Sequence, residues 1–478
     1  MLEPKLIGRK EEQSVLRKAL ISNQAELISV IGRRRVGKTF LVQQCYKEEI
    51  VFEYTGVQNA PAEVQIANFH RKLEERVPSS FGIPKPNDWF EAFGQLKTYL
   101  KTLISDKKSV VFIDELPWLA AGKSDFVPAL GYFWNSWAVK QPIVIVVCGS
   151  AASWMIEHVV NDTGSLYNRI SRRIFLEPFK LADTERYLKS RNVNLPRRQI
   201  AQIYMVTGGI PQYLKAVEPG QSAAQTINTI CFTRQGALSS EFDQLYPALF
   251  SNATRHILIV RALASKHRGL TRNEIVKQSG LANGGSLTNT LEELAQSSFV
   301  TTYRPFAKKK KETLYRLTDE YSLFYLRFME GQIEYDEDSW QKLSQSQMYK
   351  IWSGYAFENL CLKHIREIKK ALGISGIISS SSSFYRLGNN DQAGLQIDLL
   401  IDRNDQVINL CEAKFYDGPF SIGANHAENL RNKASLFRQH TKTRKHLIWT
   451  MITSDGLKPG PNALEYIPTQ VILDQLFE

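Results

Sequence analysis

Residues 26–41, ELISVIGRRRVGKTFL, constrain this chain more than any other stretch. They read as a short apolar strand, a glycine-bounded loop and the start of a helix. Gly32, Gly37, Lys38 and Thr39 satisfy the pattern G-x-x-x-x-G-K-[ST] in that setting. Each residue type has a chemical reason. Glycines let successive backbone N–H groups curl around a phosphate without a Cβ in the way. The helix that follows points the positive end of its dipole at the same phosphate. Lys38 supplies a point charge, and the Thr39 hydroxyl can ligate Mg2+. The plainer reading is a basic strand-to-helix turn. The matched context points instead to a nucleotide site formed by Gly32, Arg33, Arg34, Arg35, Val36, Gly37, Lys38, Thr39 and Phe40.

A second stretch complements the first. Residues 109–119, SVVFIDELPWL, are an apolar run ending in adjacent carboxylates, Asp114 and Glu115. A buried parallel strand delivers charge to its carboxyl edge in this way. Asp114 would complete the Mg2+ shell, and Glu115 could polarise an attacking water. Residues 143–148 form another buried strand, followed by Gly149 and Ser150. Ser150 suits a sensor beside the terminal phosphate, and equally an N-cap for a helix over 151–158. Residues 166–175 bring Arg169, Arg172 and Arg173 together before a final strand. One of them could stabilise transferred-phosphate charge, and a structural basic cluster fits as well. The strands opening 26–41 and 109–119 and those at 50–54 and 143–148, alternating with helices, specify an α/β parallel sheet covered on both faces.

The chain is longer than this one unit needs. With 478 residues it calls for two to four domains. A formal charge of +12 and an isoelectric point near 9.3 favour a polyanionic partner, with nucleic acid ahead of acidic membrane. No apolar run approaches the roughly 18 residues needed to cross a bilayer. The amino terminus lacks an apolar signal core, so the expectation is a cytoplasmic protein without membrane partners. Cys45, Cys148, Cys231, Cys361 and Cys411 are scattered in apolar segments and read as reduced, buried thiols.

Residues 236–328 change character. Thr271 and Glu274 make a capping box opening a short helix, a second helix follows over 286–295, and strands at 299–303 and 313–317 flank the basic run 308–311. The acidic stretch 334–338, EYDED, reads as a linker. Beyond it, 355–362 is an amphipathic helix carrying Glu358, 395–401 a strand carrying Asp398, and 407–415 a strand carrying Glu412 and Lys414. Residues two apart on a strand share a face, so Glu412 and Lys414 lie together and Asp398 reaches them from the adjacent strand. Carboxylates and a lysine so arranged can hold Mg2+ and activate water against a phosphodiester. An ordinary charged hairpin is the plainer reading. The Ser379–Ser383 run reads as a strand edge or loop.

Several boxes carry a family resemblance. IGRKEE, GRRRVGKT, FIDELPWL, CGSAASWM, LYNRISRRI with LEPF, and GGIPQYL resemble the archaeal-type ATPases among the AAA+ and STAND-like P-loop proteins, over roughly the first 230 residues. The resemblance implies ATP as the nucleotide, with Gly8, Arg9 and Arg169 added to the site and Pro211, in a helical lid, against the base. Residues 236–328 resemble a winged helix-turn-helix, which implies DNA contact. Residues 350–450 resemble the PD-(D/E)XK nuclease core. By that resemblance Asp398 and Glu412 are metal ligands, Lys414 positions water, Glu358 assists and Gln396 lines the site. The implied layout is a P-loop core over 1–178, a lid over 179–235, the winged unit over 236–328 and a restriction-endonuclease-like α/β domain over 340–478. The expected activity is ATP hydrolysis coupled to Mg2+-dependent DNA cleavage. A STAND-like switch controlling self-association or a protein partner, without cutting, is the alternative.

Overall fold

Strand residues apolar on both faces require cover on both sides, and this decides the first half of the molecule. The computed structural model describes residues 5–77, 84–103, 107–122, 124–161, 163–331, 339–386 and 394–478. They fall into two compact units that divide between Pro178 and Phe179. The stretch 334–338 read as a linker lies outside the described residues.

In the first unit, β1 (Glu26–Ile31), β2 (Ile50–Thr55), β3 (Ser109–Asp114), β4 (Ile143–Gly149) and β5 (Arg172–Phe175) form one sheet in the order β2-β3-β4-β1-β5. Every pairing is parallel. β1 and β4 are buried along their whole length. The helices Lys10–Ile21, Lys38–Cys45, Ala62–Glu74, Trp89–Lys101 and Phe126–Ser136 supply the cover. On one face an aromatic cluster closes the core, with Phe69, Trp89, Phe93 and Phe126 meeting edge-on or tilted at 4.7–5.9 Å.

Topology then places the site. β4 lies between β1 and β3, and all three run the same way. The loop after β1, the turn after β4 and the acids after β3 therefore emerge side by side at one edge of the sheet.

The second unit begins with helices Leu181–Ser190, Arg197–Thr207, Pro211–Leu214 and Ala223–Cys231. Helices Ala253–Ala264, Arg272–Ser279 and Gly285–Gln296 follow. They accompany a small antiparallel sheet of β6 (Leu270–Thr271), β7 (Val300–Tyr303) and β8 (Leu314–Leu317), ordered β6-β8-β7. The Thr271–Glu274 capping box is formed as the sequence specifies. The long helix Gln347–Lys363 precedes a five-stranded mixed sheet. Its strands are β9 (Ser379–Arg386), β10 (Leu395–Arg403), β11 (Val407–Lys414), β12 (His446–Thr453) and β13 (Thr469–Ile472), ordered β13-β12-β11-β10-β9. β9 to β11 are antiparallel, whereas β11 to β13 are parallel, as the intervening helix Ala424–Thr441 requires. The serine run is therefore an edge strand.

Two internal ties hold this unit. The buried His364 receives the Leu181 N–H on Nε2 at 3.1 Å and donates from Nδ1 to the Leu360 carbonyl at 2.8 Å. Arg198 reaches Asp455 at 2.7 Å and Asp417 at 2.5 Å, with its guanidinium over the Phe415 ring. The cysteines are free thiols, and all but Cys45 are buried. Among the described residues no helix is long and apolar enough to cross a membrane.

Candidate functional site

The loop after β1 is shaped by its two glycines for different reasons. Gly37 has φ +91° in open space, a left-handed conformation that costs other residues roughly 1–2 kcal/mol. At Gly32 the constraint is proximity: a Cβ there would lie 2.4 Å from the Leu176 carbonyl oxygen. The helix Lys38–Cys45 starts directly after Gly37. Lys38 folds back over the loop, donating to the carbonyls of Gly32 at 2.8 Å and Arg33 at 3.2 Å. Arg9 is buried and donates to the Val36 carbonyl at 3.3 Å, so the amino-terminal Gly8–Arg9 turn abuts the loop.

The acids after β3 meet it. Thr39 Oγ1 donates to Asp114 Oδ2 at 2.5 Å, and the Glu115 N–H donates to Asp114 Oδ1 at 2.9 Å. Glu115 has φ 49°, a left-handed strain for a residue with a side chain, and strain of this kind gathers at functional sites. Both the N–H and the hydroxyl of Ser150 donate to Glu115 Oε2, at 3.1 and 2.7 Å. Ser150 is therefore not the N-cap of the following helix, which starts at Ala152 with no side-chain cap. Its hydroxyl holds Glu115.

The electrostatics describe a site short of counter-charge. Burial pushes the Lys38 ammonium below its usual range, against Glu115, Cys148 and Asp114, which act to raise it. Burial raises Asp114, the Thr39 hydrogen bond opposes this, and Glu115 adds to the rise. A buried cation and a buried carboxylate, each under-compensated, are what a triphosphate with a divalent cation would satisfy. The hydroxyl and carboxylate oxygens of Thr39 and Asp114 are hard donors suited to Mg2+.

The arginines before β5 are a correction. Arg172 lies within β5 and pairs with Glu26 at 2.7 Å, at the amino end of the sheet. Arg173 donates to the Val160 carbonyl at 3.4 Å. Arg169 precedes Ser171, whose N–H bonds the Leu27 carbonyl. Because β1 and β5 are parallel and Arg169 precedes β5, it stands toward the edge opposite Gly32. It does not reach the loop of its own chain. Pro211 opens the helix Pro211–Leu214 in the second unit, after Gly208 and Gly209 at φ 63° and 70°.

The second candidate centre is drawn together by β10, β11 and the helix Gln347–Lys363. Asp398 and Glu412 are the residues just beyond the Leu399–Cys411 pair on facing strands. Gln396 donates to Asp398 at 3.0 Å. Burial and the Asp398 charge push Glu358 up to about 8, with Arg316 and Lys414 opposing. Glu412 is crowded by two ammonium groups, Lys414 at 2.9 Å and Lys433 at 3.1 Å, and by the His426 ring at 3.4 Å. Burial works to raise Glu412, but those charges outweigh it and hold the carboxyl below its ordinary range.

Among the described residues no three acids, histidines or cysteines converge closely enough to hold a metal ion. Asp398 and Glu412 can share a cation only if Glu412 gives up ammonium partners. Lys433 and His426 come from the crossover helix Ala424–Thr441, where they look like ordinary surface charges in the sequence.

The expected nucleic-acid surface also differs. The helix Gly285–Gln296 contains no lysine or arginine and exposes Glu292. At the hairpin, Lys308 pairs with Glu312 at 3.0 Å, and the Phe306 N–H donates to the Ser383 carbonyl at 2.9 Å. The hairpin packs on β9. The Lys310 side chain lies outside the described residues.

Residues 6–217 match the family described as an ATPase domain predominantly from Archaea. They are an archaeal-type ATPase domain. Over 417 residues the chain is 24% identical to the uncharacterized protein MJECL04 of Methanocaldococcus jannaschii, covering 86% of this chain and 88% of that one. Among solved structures, the Walker-type ATPase PABY2304 of Pyrococcus abyssi aligns with a TM-score of 0.48 at 19% identity, over 68% of this chain and 99% of that one. The ORC2 protein of Aeropyrum pernix, in ADPNP–ADP complexes, aligns with a TM-score of 0.42 at 16% identity, over 72% and 96%. The ATPase domain takes in the phosphate loop, the carboxylates after β3 and the GGIPQYL segment.

Proposed function

We propose that ATP hydrolysis at the Gly32–Thr39 loop controls a phosphodiester-cleaving centre built on Glu358, Asp398, Glu412 and Lys414, with DNA as substrate. Lys38 leaves its loop carbonyls for the β- and γ-phosphates, and the loop N–H groups cradle them. Thr39 and Asp114 hold Mg2+, which neutralises phosphate charge when bound. Glu115 orients the attacking water, and Ser150 fixes the angle of its carboxylate. Supporting this half is one observation: Thr39, Asp114, Glu115 and Ser150 form a continuous hydrogen-bonded chain beside the loop.

For the second centre the support is the mutual reach of its charges. Glu412, Asp398 and Glu358 all act on Lys414 and raise it, against burial. Asp398 and Glu412 would hold a divalent cation once ammonium partners leave Glu412, with Glu358 assisting, and the cation would activate water when bound. Lys414 would steady the charge developing on the phosphate. DNA contact draws on the chain's excess positive charge, not on the helix Gly285–Gln296. The test is plasmid cleavage with Mg2+ or Mn2+ and ATP, beside Glu412→Ala and Lys414→Ala. Cleavage lost in both variants supports the centre, and cleavage equal in all three proteins rejects it.

A second reading rests on the crowding of Glu412 by Lys414, Lys433 and His426, which suits a centre that binds without cutting. On that reading ATP switches self-association or a partner protein. A change in mass between ADP and a non-hydrolysable ATP analogue, in the absence of DNA, would favour it.

A further inference from the structure

Arg316, on β8, is only 8% exposed. A guanidinium carries five N–H donors, and one taken out of water is held when acceptors meet it. Among the described residues no acceptor lies within hydrogen-bond or ion-pair distance of this one. Its charge is felt by Glu358, and with Glu358 and Asp398 it also lines a small cleft of about 10 Å³. Arg316 lines in addition a cavity of about 410 Å³, a size usual for small-molecule sites.

The other charges of this cavity are mostly satisfied. Glu320 pairs with Lys363 at 2.6 Å, Glu330 with Arg261 at 2.6 Å, and Lys266 with Glu274 at 3.0 Å. Arg327 joins Arg316 without an ion pair among the described residues. The cavity therefore holds two arginines without an ion pair among the described residues. Its remaining wall is apolar and flat: Trp352 and Leu326 line it, and the His267 ring stacks on Tyr355 at 3.7 Å and 11°.

We propose that this cavity is a second ligand site, and that it takes an organic phosphate of mononucleotide size. The phosphate sits on the forked donors of Arg316 with Arg327 beside it, and a planar body lies against Trp352 and Tyr355. A doubly charged head matches these two arginines, and the guanidinium fork fits phosphate oxygens in pairs. Every lining residue belongs to the second unit, so the site needs no part of the phosphate loop and does not rest on the nuclease reading.

The test is equilibrium dialysis of phenyl phosphate, a minimal probe with a dianionic head and a planar body, against nucleotide-free full-length protein. Lys38→Ala should retain one equivalent. Arg316→Met should lose at least about tenfold in affinity, and the exposed Arg327→Met should lose about three- to tenfold, as charge-assisted contacts predict. Melting temperature separates lost binding from lost fold. Arg327→Met keeps the test decisive if Arg316→Met does not fold. The proposal is overturned by no uptake at millimolar probe, by uptake in Arg316→Met equal to wild type, or by uptake that disappears with Lys38→Ala. Inorganic phosphate binding as tightly as phenyl phosphate would overturn the planar half of the site.

Discussion

Acid should loosen the second unit through His364. This imidazole is fully buried, and burial, with Lys180 and Lys363 nearby, pushes it from its ordinary 6.5 down to about 3. Its two nitrogens are committed to the neutral form: Nε2 accepts the Leu181 N–H and Nδ1 donates to Leu360. A histidine whose folded value lies below its unfolded one contributes stability above the unfolded value. That stability is lost as pH falls from 6.5 toward 3. The slope in that window is about 1.4 kcal/mol per pH unit, so about 2 kcal/mol is gone by about pH 5. The perturbation is His364→Leu, which removes the titration and leaves the Leu181 N–H unsatisfied at a cost of about 1–3 kcal/mol near neutrality. Urea denaturation of both proteins between about pH 8 and pH 5 gives the difference between them. That difference should shrink by about 2 kcal/mol as the wild type alone loses stability. A difference constant across the range would refute the assignment of a buried neutral imidazole. His364 also pins the helix start at Leu181 to the end of the helix that carries Glu358.

At Ser150, Ser150→Ala removes the 2.7 Å hydroxyl bond to Glu115 and leaves the backbone donor. Hydrogen bonds to charged groups are worth about 1.5–3 kcal/mol, so kcat should fall roughly ten- to hundredfold with ATP affinity unchanged. Steady-state phosphate release measures it, Ser150→Thr should rescue, and an unchanged kcat would remove Ser150 from the site. The two loop glycines should differ in kind. Gly32→Ala forces a Cβ to 2.4 Å from a backbone oxygen and should abolish ATP binding, whereas Gly37→Ala should cost about 1–2 kcal/mol of backbone strain. Binding titrations and melting curves separate them, and equal effects at both positions would contradict the packing argument.

The parts of this molecule legible in the sequence are those fixed by local pattern. β1, β3 and β4 are read from apolar runs because strands buried on both faces have no polar alternation to confuse the signal. The Thr271–Glu274 box is local for the same reason. What the sequence hides depends on pairing between distant segments. Arg172 looks poised for phosphate until the parallel ladder sets it at the wrong end of β1. Glu412 looks like a free metal ligand until a helix far along the chain brings Lys433 to it. Ser150 offered two roles to its hydroxyl, and its bond to Glu115 excludes the helix cap.

The account rests on a triphosphate held at the loop and hydrolysed by the acids beside it. The most direct measurement is ATP binding together with phosphate release by wild type, Lys38→Ala and Glu115→Gln. Lys38→Ala should bind no ATP, and Glu115→Gln should bind normally while turning over at least about a hundredfold more slowly, the usual scale for a lost general base. Wild-type affinity in Lys38→Ala, or wild-type turnover in Glu115→Gln, would contradict it.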